Sequence, residues 1–245
     1  MAPVQTPPRI SWSALAAKLR REWQPGEHVT LIGPTGSGKT HMALILAQMC
    51  QYSLIIATKR RDPLLSEVKQ RHLVTEDLST DVMWTHENRP LHRRVMFWPR
   101  FPEKMTSKQR IIAQASMIRK ALDWSDRTGG WAVVVDELMW LTRNLRLDRE
   151  IESVYFQGRT QGVSLIGCAQ RPSHVPLLAF SQATYLFLWQ SSDKRDLERL
   201  REISAGFPKG MIDESVRQLD WNAHEALFVD TKRKELARVI APAQI

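Results

Sequence analysis

Cysteine is scarce in this 245-residue chain: there are two, Cys50 and Cys168, each inside an apolar segment. Thiols so few and so placed exclude a disulfide-built scaffold and are expected as buried, reduced groups. The seven histidines show no ligand spacing with cysteine or carboxylate, which excludes a zinc-finger type of site. No apolar run reaches the roughly 18 residues of a membrane span. The opening "MAPVQTPPR" lacks the apolar stretch of a secretion leader. A cytoplasmic protein with no membrane span is therefore expected. Also missing are internal repeats, low-complexity tracts and any break in composition that would announce a second globular unit, so the length suits one domain with a full core.

Positive charge and helix–strand alternation are what is present. Lys plus Arg is 35 against 26 Asp plus Glu, a formal net charge of +9. That balance suits a polyanionic partner without demanding one. Four prolines fall in the first 25 residues around one amphipathic pattern, "SWSALAAKLRREW". This reads as an N-terminal arm, residues 1–26, ahead of a main domain over 27–245. In that domain "HVTLIG", "SLIIAT", "RVMFWP", "WAVVVDEL", "VSLIGCAQ" and "ATYLFLWQ" read as strands. "KTHMALILAQMCQ", "SKQRIIAQASMIRKALDWSDR", "LDREIESVYFQG" and "DKRDLERLREISAG" read as helices. "EALFVDTKRKELARVI" reads as a closing β-hairpin, and residues 59–94 receive no assignment. Strands apolar on both faces and alternating with helices predict an α/β fold with a mainly parallel sheet.

"GPTGSGKT" (Gly33, Pro34, Thr35, Gly36, Ser37, Gly38, Lys39, Thr40) is a complete P-loop pattern. It follows a predicted strand and opens a predicted helix, the context the motif requires. Its backbone N–H groups would cradle the phosphates of ATP, Lys39 would reach the β- and γ-phosphates, and Thr40 would hold Mg²⁺. "WAVVVDEL" ends on Asp136 and Glu137 at the carboxyl end of a strand, where open α/β sheets carry their ligand. Asp136 would complete the Mg²⁺ shell, partly through water. Glu137 would polarise the attacking water as general base. The plain alternative, an Asp-Glu pair that merely caps a strand, is disfavoured by the P-loop upstream.

"GRTQGVSLIGCAQRPS", Gly158 to Ser173, supplies the next candidates. Gln170 would stand at the tip of the strand beside the Asp136 strand, where an amide can sense the γ-phosphate. Arg159 precedes that strand, at the far end of the sheet from Gln170. Two readings of Arg159 stay open on the residues alone: a finger reaching a neighbouring subunit's nucleotide, or a surface arginine at a helix C-terminus. Taken together, "GPTGSGKT", "VVVDEL" and "GRTQGVSLIGCAQRPS" resemble the FtsK/HerA superfamily of DNA-pumping ATPases. The resemblance is strongest from Gly158 to Pro176 and runs from the P-loop to about Gly206. It implies a RecA-like P-loop domain, Gln170 as polar sensor and Arg159 as trans-acting finger. It also implies a ring, commonly hexameric, around double-stranded DNA. Membrane segments, a winged-helix module and an N-terminal β-barrel, present in larger relatives, have no counterpart here. The compact plan is similar to that of viral and phage genome-packaging ATPases.

A motor packaging a viral or phage genome is thus the leading expectation, located in host cytoplasm or on the virion, with a portal, capsid or membrane docking partner. Two alternatives stand beside it: a DNA-transfer ATPase of a plasmid or mobile element, and an ATP-driven assembly switch acting on a protein without DNA. A small-molecule kinase fits poorly with Asp-Glu beside a Gln-tipped strand. Arg143 and Arg146, in "LTRNLRLDR" after the Asp136 strand, are the favoured DNA-contact candidates. The cations Lys59–Arg61 are the weaker ones.

Overall fold

The computed structural model describes residues 6–78, 90–202 and 206–243. Nine strands form one sheet: β1 His28–Ile32, β2 Tyr52–Ile56, β3 Leu73–Thr75, β4 Arg94–Phe97, β5 Trp131–Val135, β6 Ser164–Ala169, β7 Ala183–Trp189, β8 Ala226–Asp230 and β9 Glu235–Val239. Their order is β3-β4-β2-β5-β6-β1-β7-β8-β9. Pairings from β3 to β7 are parallel, and β7–β8 and β8–β9 are antiparallel. The P-loop strand β1 therefore lies between β6 and β7, while β5, which delivers Asp136, lies between β2 and β6.

The described helices are α1 Trp12–Glu22, α2 Lys39–Met49, α3 Pro63–Val68, α4 Ser107–Thr128, α5 Asp148–Gln161, α6 Leu177–Ser181, α7 Lys194–Glu202 and α8 Met211–Arg217. None is long and apolar enough to cross a membrane. Strand side chains alternate between two hydrophobic clusters, one on each sheet face. Trp131, Val133 and Val135 of β5 enter one, Ala132 and Val134 the other. This is the double burial that an apolar strand without polar alternation requires. On α4 a stripe at positions 114, 118, 121, 122 and 125 is buried. A capping box between Thr106 and Gln109 starts this helix.

All six strands, all four helices and the hairpin read from sequence are present. The glycine expected to stop α7 follows residues 203–205, which lie outside the described residues. In the unassigned stretch the structure adds α3 and β3, with 79–89 also outside the described residues. From Thr6 onward the N-terminal segment lies against the sheet. Leu15 and Leu19 of α1 bury in the same cluster as Val29, Tyr185 and Phe228. Arg9 pairs with Glu225 at 2.7 Å, and Lys18 reaches Asp230 at 3.0 Å and also Glu235. The first helix thus clamps the closing hairpin to β1. Cys168 is buried and Cys50 partly buried, both free, and loss of solvent pushes each thiol up to about 12.

Candidate nucleotide site

β1, β5 and β6 are parallel neighbours, so their carboxyl ends share one edge of the sheet. The register Val135↔Gly167 and Ile32↔Ala169 sets Gly33 level with Gln170, and Asp136 and Glu137 level with Cys168 and Ala169, so the four tips share that edge. Gly33–Gly38 turns between β1 and α2. Gly38 caps α2 at φ 98°, a left-handed conformation that glycine adopts without strain. No side chain caps that helix, and its first turn carries no acid. Its N–H groups and dipole are left for an anion. Lys39 is buried, its ammonium donating to the Pro34 carbonyl at 2.8 Å. Burial lowers its pKa from the ordinary lysine value.

Asp136 and Glu137 are both buried. Asp136 Oδ1 accepts from the Thr58 hydroxyl at 2.6 Å. The Lys59 ammonium stands 3.6 Å from Oδ2, an ion pair too long for a hydrogen bond. Glu137 Oε2 accepts from the Gln170 amide at 2.8 Å. The other oxygens, Asp136 Oδ2 and Glu137 Oε1, are buried with no hydrogen-bond partner. Such an orphan costs about 1–3 kcal/mol unless something fills the gap. Burial pushes both carboxyls up; the Thr58 and Gln170 bonds pull the other way. One hydroxyl, Thr40, and one carboxylate with an oxygen that accepts no hydrogen bond, Asp136, make a donor set that fits Mg²⁺. That ion takes few protein ligands and completes its shell with phosphates and water. The free Glu137 oxygen fits a water to be deprotonated.

Two groups that hold this edge in place escaped the sequence reading. Asp196 on α7 is buried. It accepts from Arg171 at 3.1 Å, from the Ser173 hydroxyl at 2.7 Å and from the Ser173 N–H at 3.2 Å. The Arg-Pro-Ser that follows Gln170 is thereby pinned, and with it the amide. The second group is Gln114, which donates to the Thr58 carbonyl at 2.7 Å and accepts from the Trp140 indole at 3.1 Å. Asp136, Thr58, Gln114 and Trp140 therefore form one polar chain. It ends at the π-helical turn Trp140–Asn144, where the Leu145 N–H returns to the Trp140 carbonyl. Wide turns of this kind recur at functional sites. Leu141, Leu145 and Leu147 of the loop are buried, whereas Arg143 and Arg146 are exposed, Arg146 at φ 53°. Neither arginine pairs with Asp148 or Glu150 within the subunit; Glu150 is held by Arg119. Lys59 turns back to Asp62 and Asp136, so of Lys59–Arg61 only the two arginines face outward with no ion pair among the described residues.

Arg159 lies in the last turn of α5, exposed, at the opposite sheet edge from Gln170. The six residues of β6 put about 20 Å between those edges at about 3.3 Å per residue. No arginine can bridge that distance to its own nucleotide. The helix end is held by close packing: a Cβ on Gly158 would meet the Val163 carbonyl at 2.4 Å. The His28 ring bridges it to the sheet, accepting at Nδ1 from the Leu165 N–H at 3.0 Å and donating from Nε2 to the Tyr155 carbonyl at 3.2 Å. Burial, with Arg159 adding to it, lowers His28 to about 4 from 6.5. The unfolded chain therefore binds the proton first, and His28's share of stability, complete above pH 6.5, is lost as pH falls toward 4. Urea unfolding at pH 7.5 and pH 5.0 should show a loss that is larger in the parent than in His28→Gln by about 2 kcal/mol. Equal losses in the two proteins would remove His28 as the source.

Two cavities flank the P-loop. One, about 540 Å³, lies on the β7 side against Pro34, Thr35, Trp189 and Trp221. The other, about 570 Å³, adjoins Glu137 and Gln170.

No protein-family model matches the chain, and no curated protein does. Its fold is similar to that of solved P-loop enzymes. The genome packaging NTPase B204 from Sulfolobus turreted icosahedral virus 2 aligns over 90% of this chain and 99% of its own, at TM-score 0.65 and 16% identity. That NTPase has been solved with ATP-γS and with AMPPCP. The DNA-packaging ATPase B204 from Sulfolobus turreted icosahedral virus aligns over 90% and 100%, at TM-score 0.54 and 14% identity. The cytoplasmic domain of the type VII secretion ATPase EccC from Thermomonospora curvata aligns over 89% of this chain and 25% of its own, at TM-score 0.53 and 14% identity. The fold expected from the motifs is thus the fold found: a mainly parallel sheet flanked by helices, with a P-loop at its carboxyl edge and an antiparallel hairpin closing it.

Proposed function

We propose that the chain is an ATPase motor of the FtsK/HerA type, working as a ring that drives double-stranded DNA, in the manner of a genome-packaging enzyme. One observation carries the reading. Every group needed to bind and attack a triphosphate stands at one sheet edge, except the arginine that would stabilise the transferring phosphate, which is exposed at the opposite edge. A site so divided is completed by a second copy. ATP would lie with its phosphates over the α2 N-terminus and Lys39. Mg²⁺ held between Thr40 and Asp136 would neutralise charge on the β- and γ-phosphates. Glu137 takes the proton of the attacking water at its free oxygen. Gln170, bonded to Glu137, reports the γ-phosphate to the same carboxylate.

The polar chain from Asp136 to Trp140 suggests how the site acts on DNA. A change at Asp136 on nucleotide exchange shifts Thr58, Gln114 and the Trp140 turn that carries Arg143 and Arg146. These arginines, without an ion pair among the described residues and braced by buried leucines, suit DNA phosphates rather than bases. The double replacement Arg143→Ala/Arg146→Ala should leave basal hydrolysis and assembly near parental. DNA stimulation should vanish, and the slope of log K against log salt should flatten by about 1.8, the release of two phosphates' counterions. The loss should be alike on unrelated duplexes. Sedimentation velocity beside a DNA-stimulated ATPase assay measures both. Dissociated subunits would assign the arginines to the interface instead. A fold shared with a type VII secretion ATPase leaves the cargo to be decided by experiment. If DNA fails to stimulate the parent at low salt, a protein cargo becomes the better reading.

A further inference from the structure

The cavity beside Glu137 and Gln170 is apolar where a phosphate site would be polar. Phe101, Ile111, Met139 and Trp140 line it, together with the cations Lys59, Arg60 and Arg110. Its direction follows from α4. Gln114 touches Thr58 at the carboxylate end, and Arg110 sits one turn of helix, about 6 Å, farther out. Along α4 the lining thus passes from Glu137 at the carboxylate end, where the Lys59 cation is already held by Asp62 and Asp136, past the apolar side chains to the Arg110 cation farther out. The exposed face of α5 runs in the matching order. Glu152, Phe156 and Arg159 occupy positions i, i+4 and i+7 of one stripe, about 10 Å long. Phe156 is 64% exposed, the largest exposure of any large hydrophobic side chain described. Glu152 and Arg159 are exposed too and form no ion pair among the described residues.

We propose that Phe156 of one copy of this chain seats in the Ile111–Trp140 cavity of the next, with Glu152 against Arg110 and Arg159 delivered beside Glu137 and Gln170. The occupant is a second copy because the stripe matches the cavity in charge order as well as in apolar character. A phenyl ring buried in an apolar pocket is the usual anchor of an interface, and its charged flanks set the register. Phe156 and Trp140 then touch across the junction, so the turn that carries Arg143 and Arg146 has one side on the neighbouring subunit. The inference rests on the ring reading above and names the contact that closes it.

Two measurements test it. Phe156→Cys combined with Ile111→Cys, oxidised with ATP-γS and Mg²⁺, should give a ladder of covalent multimers on a non-reducing gel. Phe156→Cys combined with Ile240→Cys, just past β9 at the far edge of the sheet, should not. Phe156→Asp should raise the midpoint concentration for assembly at least about tenfold while a fluorescent ATP analogue still binds. Arg110→Glu and Glu152→Arg should each weaken assembly, and the two together should restore it, which decides the matter even if Phe156→Asp misfolds. Rings at the parental concentration with Phe156→Asp, and no ladder with Ile111→Cys, would overturn this contact and leave the ring intact. A parent that stays monomeric with nucleotide and DNA would overturn the ring, and this contact with it.

Discussion

Glu137→Gln is expected to bind ATP within about threefold of the parental affinity and to hydrolyse it about 10²–10⁴-fold more slowly, the contribution of a positioned general base. The amide keeps the size of the side chain and can still pair with Gln170. It cannot take a proton from water. Burial pushes the Glu137 carboxyl up from its ordinary value, toward the range where a carboxylate is a better base. The same burial leaves its Oε1, the oxygen proposed to take the proton, without a partner. Lys39→Ala separates binding from chemistry in the other direction, since it removes the cation from the phosphates and should weaken ATP itself. Gln170→Ala should fall between: affinity nearly intact, hydrolysis reduced, because Glu137 loses the amide that fixes its rotamer. Equilibrium binding of a fluorescent analogue and single-turnover hydrolysis resolve the three. Near-parental turnover in Glu137→Gln would sink the general-base assignment.

Arg159→Ala should lose about 10³–10⁵ in hydrolysis rate, the worth of an arginine finger, although it touches nothing in its own nucleotide site. The decisive form of the experiment mixes two inactive proteins. Arg159→Ala keeps an intact P-loop and lacks the finger; Lys39→Ala keeps the finger and lacks the P-loop. In mixed rings some junctions pair a whole P-loop with a whole finger, and part of the activity should return. Native mass spectrometry must show that mixed rings form. If they form and stay inactive, Arg159 does not act between subunits. The His28 bridge and the tight packing at Gly158 hold the end of α5 firmly, so Arg159→Ala should not change the thermal midpoint by more than a degree or two.

Much of the candidate site could be read from sequence because its parts are local. A glycine-rich turn between strand and helix needs only eight consecutive residues, Gly33 to Thr40. An apolar run ending in Asp136-Glu137 announces both a buried strand and its functional tip. The placement of Arg159 and Gln170 at opposite ends of β6 follows from counting residues along one strand. The missing elements are short. β3 has three residues and α3 has six, too few for any periodicity to show. Residues 1–26 read as an arm because prolines interrupt them; the surface that Leu15 and Leu19 cover is assembled from β1, β7 and the hairpin, the last more than 200 positions later.

By itself the sequence determined the strands, the phosphate loop and the identity of the acidic pair, since each rests on neighbouring residues and on backbone preferences. Tertiary structure alone decided which tips meet. Buried strands of a parallel sheet are interchangeable apolar runs, and nothing within one of them states its neighbour. The order β2-β5-β6-β1 is set by how helices cover both faces, and it brings Thr58 to Asp136 across 78 positions and Gln170 to Glu137 across 33. Asp196, 25 positions beyond Arg171, could not be singled out among the other acids of α7 and its approach. Its function comes from being buried under the Arg-Pro-Ser turn, where an unpaired carboxylate would be costly and a triply bonded one becomes the anchor.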